Sequence, residues 1–210
     1  QVGHCSTAIG ASELLGELRA NAPKEIVVDQ SGCDGACFAG PKIFSSQADS
    51  KDVHNWIPEK VTCKWVSDVS EQYVSAQHRI SMKDVGIMSA VGLDDYLDNG
   101  GFVGLATALS LLPDDVINIV EKSRLRGRGG AYFPVHMKWR SALAVESDKR
   151  VMVINAEEGE PGIFKDRHLM EGAPYRLIEG ALISAFATGI QDIFLYVNAE
   201  ADLSYERMTH

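Results

Sequence analysis

The sequence predicts an α/β protein with parallel strands, and three segments near its C-terminal end carry that prediction. Arg150–Asn155 (RVMVIN) is an apolar run with a polar end, the pattern of a buried parallel strand. Pro174–Thr188 is a long helical segment, closed by Gly189 as a C-cap. Asp192–Asn198 (DIFLYVN) reads as a second buried strand. Strand, helix and strand in this order predict a right-handed βαβ unit. In such sheets ligands lie beyond the carboxyl ends of the strands. Asn155–Glu160 and Asn198–Glu200 stand at those ends.

The remaining elements follow from local pattern. Ala11–Asn21 places Leu14, Leu15 and Leu18 at amphipathic helix spacing. Glu25–Asp29 is a short β-branched strand, Ser31–Pro41 is a loop dense in Gly and Cys, and Lys42–Ser45 resumes as a strand. Val61–Val66 alternates and reads as an edge strand. Helix, strands and cysteine loop in this order make residues 1–70 resemble a thioredoxin-like unit. Residues 71–110 read as a linker, polar and aperiodic over 71–90, followed by short helices at Leu93–Asp98 and Val103–Leu112. Residues 111–210 form the α/β domain. Pro113 and the two acids after it start a helix running to about Lys122, and Met137–Ala144 is helical too. Gln1–His4 reads as the end of a strand and Tyr205–His210 as helix interior, so both termini read as cut.

Composition narrows the function classes. The chain has 210 residues, 45% apolar and 23% charged, which suits a globular protein with a core. Lys and Arg total 20 against 29 Asp and Glu, a net charge of −9 that argues against general nucleic-acid binding. Local cationic clusters can still hold an anionic cofactor. No apolar run approaches the roughly 20 residues needed to cross a bilayer, and no signal peptide is visible. The expected location is the cytoplasm, where Cys5, Cys33, Cys37 and Cys63 stay reduced or bind metal.

Two unusual runs carry the chemistry. In Arg126–Pro134 (RGRGGAYFP), Gly127, Gly129 and Gly130 remove side chains where a backbone can approach a ligand. Arg126 and Arg128 add fixed positive charge, and Lys138-Trp139 follows shortly after. The run matches neither GxGxxG after a strand nor a phosphate-binding P-loop, and by itself it also fits a plain surface loop. The second run, Asn155–Gly162 (NAEEGEPG), crowds acceptors beside glycines at a strand end. Alone it also fits a solvated acidic loop. A cationic glycine turn facing an acidic turn across a crevice suits a nucleotide-sized ligand, with phosphate on one side and hydroxyl or ring groups on the other.

Arg-Gly-Arg-Gly-Gly-Ala-x-Phe-Pro, then Lys-Trp, then Asn-Ala-x-Glu-x-Glu-Pro-Gly-x-x-Lys-Asp-Arg resembles the NADH-binding flavoprotein subunit of respiratory complex I. NAD-linked hydrogenases and formate dehydrogenases share that module. The resemblance runs from about Ser81 to His210 and also touches Gly100-Gly101-Phe102 and Ser123–Arg126. It implies a Rossmann-like FMN-binding domain in which hydride passes from NADH to FMN and electrons leave singly through iron–sulfur clusters. By position, Gly127, Arg128, Gly129 and Gly130 would line the flavin, and Lys138 and Asn155 would bind FMN. Glu157 and Glu158 would contact its polar groups, Phe133 would stack on the nucleotide, and Glu160 would bind the NADH ribose or amide. The cofactor carries the hydride, so no catalytic protein nucleophile is expected. Lys138 near the flavin would favour an anionic reduced form, and carboxylates on the nicotinamide side favour NADH over NADPH.

The resemblance also implies partners: NAD(H) and other iron–sulfur subunits of a multisubunit oxidoreductase, peripheral to a membrane complex or soluble. The family's later flavin loop and the cysteines of its 4Fe–4S cluster have no counterpart up to His210, so the chain reads as inactive alone. Tyr132 stands where the family usually has Gly, and Ser141 where an aromatic residue is common. These departures keep a second reading open, a degenerate docking or assembly subunit.

The loop Gly32-Cys33-Asp-Gly-Ala-Cys37-x-x-Gly-Pro41 is similar to the second half of a thioredoxin-like 2Fe–2S domain. Cys33 and Cys37 would be its C-x3-C pair, and Cys5 would need a cysteine immediately before Gln1 as partner. A domain that has lost its cluster fits equally well. Cys63 and Trp139 read as core residues. The histidines show no metal-binding spacing, and His136 is the one nearest the glycine turn in sequence.

Overall fold

The computed structural model describes residues 2–33, 35, 41–43, 64–65, 73 and 75–210. Cys37, Cys63 and most of the predicted strand at 61–66 lie outside the described residues. The chain is mixed α/β and gathers into two compact units. One comprises Gln1–Tyr96, Glu160–Pro174 and Ala199–His210, and the other Leu97–Gly159 and Tyr175–Asn198.

The first unit opens with α1 (His4–Thr7) and α2 (Ala11–Asn21). Of the strand end expected at Gln1–His4, Gln1 lies outside the described residues, Val2 donates its N–H to the Ser31 carbonyl at 2.8 Å, and α1 starts already at His4, where Ser6 Oγ accepts the Gly3 N–H at 2.8 Å and donates to the Gly3 carbonyl at 3.0 Å. That local side-chain bonding competes with strand pairing. Helix α2 lies where its period predicts and buries Ala11, Leu14 and Leu18. The strand expected at Glu25–Asp29 does not form: Ile26 N–H turns back to the Pro23 carbonyl at 3.0 Å, and Val27 is 90% exposed. β-branched residues favour strands only where a neighbour packs against them. Strands β1 (Lys42–Ile43) and β2 (Lys64–Trp65) pair in parallel, Lys42 opposite Lys64.

The stretch read as a linker carries buried side chains. Val85, Met88 and Ala90 are buried, the Ala90 N–H reaches the Gln30 carbonyl at 2.9 Å, and Ser89 bridges Ser31. Its aperiodic sequence reflects repeated turns, and turns have no hydrophobic period to read. Helix α3 (Leu93–Asp98) follows, with Asp95 accepting the Ser89 N–H. Later in the chain α7 (Asp166–Gly172), which local pattern did not mark, packs against α9 (Asp202–Thr209). Gly172 is pressed on both Gly32 and Val85: a Cβ there would lie 2.5 Å from Val85 Cγ1 and 3.4 Å from the Gly32 Cα.

The second unit holds the predicted βαβ. Strand β3 (Val151–Ala156), helix α8 (Pro174–Thr188) and strand β4 (Asp192–Val197) follow one another, and the strands pair in parallel from Val151–Asp192 to Ala156–Val197. The strands alternate rather than being buried throughout: Val153 is 65% and Phe194 58% exposed. The described sheet has two strands, and these side chains stand open on it. The core gathers Ala108, Val116, Ile117 and Ala187, with Leu111, Trp139, Leu143, Ile183 and Phe186 packed against it. Burying a side chain such as Ile117 contributes roughly 1.5–3 kcal/mol. Its helices are α4 (Val103–Leu109), α5 (Pro113–Ser123), starting at its proline, and α6 (Val135–Leu143). Trp139 belongs to this core, as its reading from sequence had it.

Candidate functional site

The glycine turn is a narrow loop held between α5 and α6. Arg124 leaves α5 with φ 57°, and the chain then folds back on itself. The Gly127 N–H donates to the Phe133 carbonyl at 2.9 Å, the Val135 N–H to the Leu125 carbonyl at 3.1 Å, and Arg126 bridges Pro134. Arg126 also donates from its guanidinium to the Tyr132 carbonyl at 3.3 Å. The tip, residues 128–132, is exposed, and a Cβ on Gly129 or Gly130 would meet open space. Gly130 needs its φ of 99°, while Tyr132 holds φ 51°, a conformation that costs a residue with a side chain. The base of the loop is clamped by side chains. Arg140 of α6 reaches Glu121 of α5 at 2.8 Å and Asn118 at 2.6 Å, and His136 Nε2 lies 3.7 Å from Glu121. The hydrogen bond from Arg140 holds the Glu121 carboxyl below its ordinary value. Lys138 and Phe133 are both exposed beside this loop.

The acidic turn leaves the carboxyl end of β3. Asn155 is the penultimate strand residue, paired with Tyr196, and its Oδ1 accepts the Glu157 N–H at 3.3 Å. Glu157 turns back on the loop: Oε2 accepts the Gly159 N–H at 2.9 Å and Oε1 accepts from Asn198 Nδ2 at 3.1 Å. Glu158 sits at φ 42°. Glu160 is exposed, and its carbonyl accepts the Ile163 N–H at 3.2 Å. Lys165 pairs with Asp166 just beyond.

Most of the site residues named from sequence thus fall in one compact unit: Gly127, Arg128, Gly129, Gly130, Phe133, Lys138, Asn155, Glu157 and Glu158. Glu160 groups with the other. Cys33 is buried, its Sγ accepting the Gly35 N–H at 3.4 Å, whereas Cys5 is exposed on α1. A Cβ on Gly3 would lie 2.8 Å from the Cys33 Cβ, so α1 begins directly against that cysteine. Asn198 and Glu179 have structural roles that sequence reading left unassigned. The only signal was the placement of Asn198 at a strand end.

Residues 120–210 match the family model described as the Nuo51 FMN-binding domain. The NADP-reducing hydrogenase subunit HndC of Solidesulfovibrio fructosivorans is 39% identical over 63% of this chain and 27% of its own length. An NADH-quinone oxidoreductase subunit of Aquifex aeolicus is 43% identical over 54% of this chain and 26% of its own length. The crystal structure of an NAD+-reducing [NiFe]-hydrogenase in the H2-reduced state is similar over 68% of this chain and 26% of that one, at 30% identity and a TM-score of 0.50. The chain therefore spans about a quarter of the length of these relatives. Residues 120–210 thus resemble the Nuo51 FMN-binding domain family, and the chain is similar over part of its length to NADH-quinone oxidoreductase and hydrogenase subunits.

Proposed function

We propose that the chain is part of an NADH-oxidising flavoprotein subunit that binds FMN at the glycine and acidic turns. The observation that carries this reading is the position of the acidic turn, tied by Glu157 and Asn198 across the carboxyl ends of two parallel strands. Ligands of open α/β sheets lie there. The residues fit a flavin nucleotide: Gly129 and Gly130 leave space for a planar group, and Arg128 in the same turn and Lys138 on α6 are exposed and open to a phosphate. When bound, FMN supplies the hydride-accepting and electron-splitting chemistry. The chain's own residues orient it. Lys138 and Arg128 supply positive charge, Asn155 and Glu158 offer acceptors for hydroxyls, and Phe133 offers a ring face. Glu160 receives the nicotinamide nucleotide's ribose or amide.

In the whole protein, electrons pass onward through iron–sulfur clusters of this and neighbouring subunits, in the cytoplasm or at the edge of a membrane complex. The N-terminal unit, read as thioredoxin-like, would hold a 2Fe–2S cluster on Cys5, Cys33, Cys37 and a fourth thiolate. A 4Fe–4S cluster would belong to sequence outside these residues. NADH is the expected donor because carboxylates repel a further phosphate, although one relative is named as NADP-reducing. A non-catalytic docking element is the rival reading, favoured by Tyr132, whose exposed ring stands on the turn where the family usually has glycine.

Flavin titration of the full-length protein separates the two. FMN binding with quenched flavin fluorescence, a visible flavin spectrum bleached by NADH, and loss of retention in Lys138→Ala support the first reading. A colourless protein that leaves FMN fluorescence unchanged removes it.

A further inference from the structure

We propose that Asn198 is a positioning residue: its side-chain amide fixes the Glu157 carboxylate and so sets the path of the acidic turn. The inference rests on the flavin-site reading above and deepens it. Ala156 and Val197 are the last pair in the β3–β4 register, so Glu157 and Asn198 are next in line. There backbone pairing gives way to a side-chain pair, Asn198 Nδ2 donating to Glu157 Oε1 at 3.1 Å. The other oxygen, Oε2, accepts the Gly159 N–H at 2.9 Å.

The glycine is part of the same device. A Cβ on Gly159 would lie 2.2 Å from Glu157 Oε1 and 2.8 Å from Oε2, so only glycine lets the carboxylate fold back onto its own turn. Below it, Asn155 Oδ1 accepts the Glu157 N–H at 3.3 Å. Glu157 is thereby held from three sides, by the end of its own strand, by its own turn and by the neighbouring strand. It shapes the turn, and Glu158, at φ 42°, follows in the conformation this shape imposes. Asn is suited to position 198 because its amide donates without charge. Asp there would set two carboxylates about 3 Å apart, a pair that cannot both ionise freely.

The test uses Asn198→Asp and Asn198→Ala in the full-length protein, read at pH 8 and pH 5 against native protein at the same pH. Without ligand, amide exchange at Gly159 should quicken about tenfold in Asn198→Ala, the scale of one lost hydrogen bond. With FMN as the probe, Asn198→Asp should bind about tenfold more weakly at pH 8 and recover to within about twofold at pH 5, where a protonated Asp donates in place of the amide. Asn198→Ala should be weakened equally at both. Native-like FMN binding by Asn198→Asp at pH 8, impairment equal at both pH values, or unchanged Gly159 exchange overturns the proposal. Native protein that binds no FMN defeats the flavin reading instead, and Gly159 exchange then decides the role of Asn198 by itself. Should Asn198→Asp not fold, exchange in Asn198→Ala carries the decision.

Discussion

Glu179 reaches across 77 residues of sequence to hold Phe102 in place. Its Oε2 accepts the Phe102 N–H at 3.1 Å, and its Oε1 accepts the Leu105 N–H at 3.0 Å. Helix α4 has no side-chain cap of its own, since Phe102 precedes it at φ 60°. The first N–H groups of a helix lack internal partners, and a carboxylate there satisfies them and complements the helix dipole. Gly104 leaves room for it, because a Cβ would lie 2.9 Å from Glu179 Oε1. The carboxylate thus caps α4 from a distance and pins the Gly100-Gly101-Phe102 turn to α8.

Glu179→Ala should therefore destabilise the protein by about 1–3 kcal/mol, the cost of leaving partly buried donors without an acceptor. Glu179→Gln should keep one acceptor oxygen and lose less. Urea denaturation of both variants checks the order, and equal stability of Glu179→Ala and native protein would refute the cap.

The Glu121–Arg140 pair gives a pH dependence whose sign is determined. Arg140 lowers the Glu121 carboxyl in the folded state. Its stabilising contribution is complete above the unfolded value and disappears as pH falls through the lower, folded one. Acid titration followed by the Glu121 side-chain carbon signal should show a lower midpoint in native protein than in Arg140→Met. A midpoint unmoved by Arg140→Met would dissolve the clamp on the glycine turn.

Tyr132 carries a backbone cost that glycine would not. A side chain at φ 51° costs about 1–2 kcal/mol, offset in part by the extra freedom glycine gives the unfolded chain. Tyr132→Gly should leave stability unchanged or raise it by up to about 1 kcal/mol. It should also tighten nicotinamide nucleotide binding by clearing an exposed ring from the turn. Thermal melts and NADH titration measure both, and weaker nucleotide binding would contradict the crowding argument.

Gly172 tests the packing of the first unit. Adding a methyl there sets it 2.5 Å from Val85 Cγ1, beside the Gly32 backbone. Overpacking of this kind costs about 1–3 kcal/mol. Gly172→Ala should lower the denaturation midpoint accordingly, and pairing it with Val85→Ala should recover part of the loss. Additive effects of the two changes would mean that they do not touch.

Arg207 is buried at 3% exposure, and its Nε, Nη1 and Nη2 have no hydrogen-bond partner among the described residues. Burial pushes its guanidinium below the ordinary value, against the pull of Glu206, Glu171 and Asp29. Replacing a buried, poorly paired charge by an apolar side chain of similar length is often stabilising. Arg207→Met should gain about 1 kcal/mol in urea denaturation, and a large loss would show that the charge is paired after all.

Much of this protein was legible in local sequence. The period of Ala11–Asn21, the proline opening α5 and the apolar runs of the two strands in the strand–helix–strand order from Val151 to Val197 are local features. Side-chain spacing and backbone restriction decide such features before any folding partner arrives. Glu25–Asp29 had the composition of a strand but pairs with no strand among the described residues, so propensity failed there. Other features were settled only by tertiary structure. Glu157 meets Asn198 41 residues away, Glu179 caps α4, and Gly172 closes on Gly32 and Val85. These contacts join groups with no periodic relation in sequence. Packing alone sets their distances, and a buried donor takes whichever acceptor the fold brings within reach.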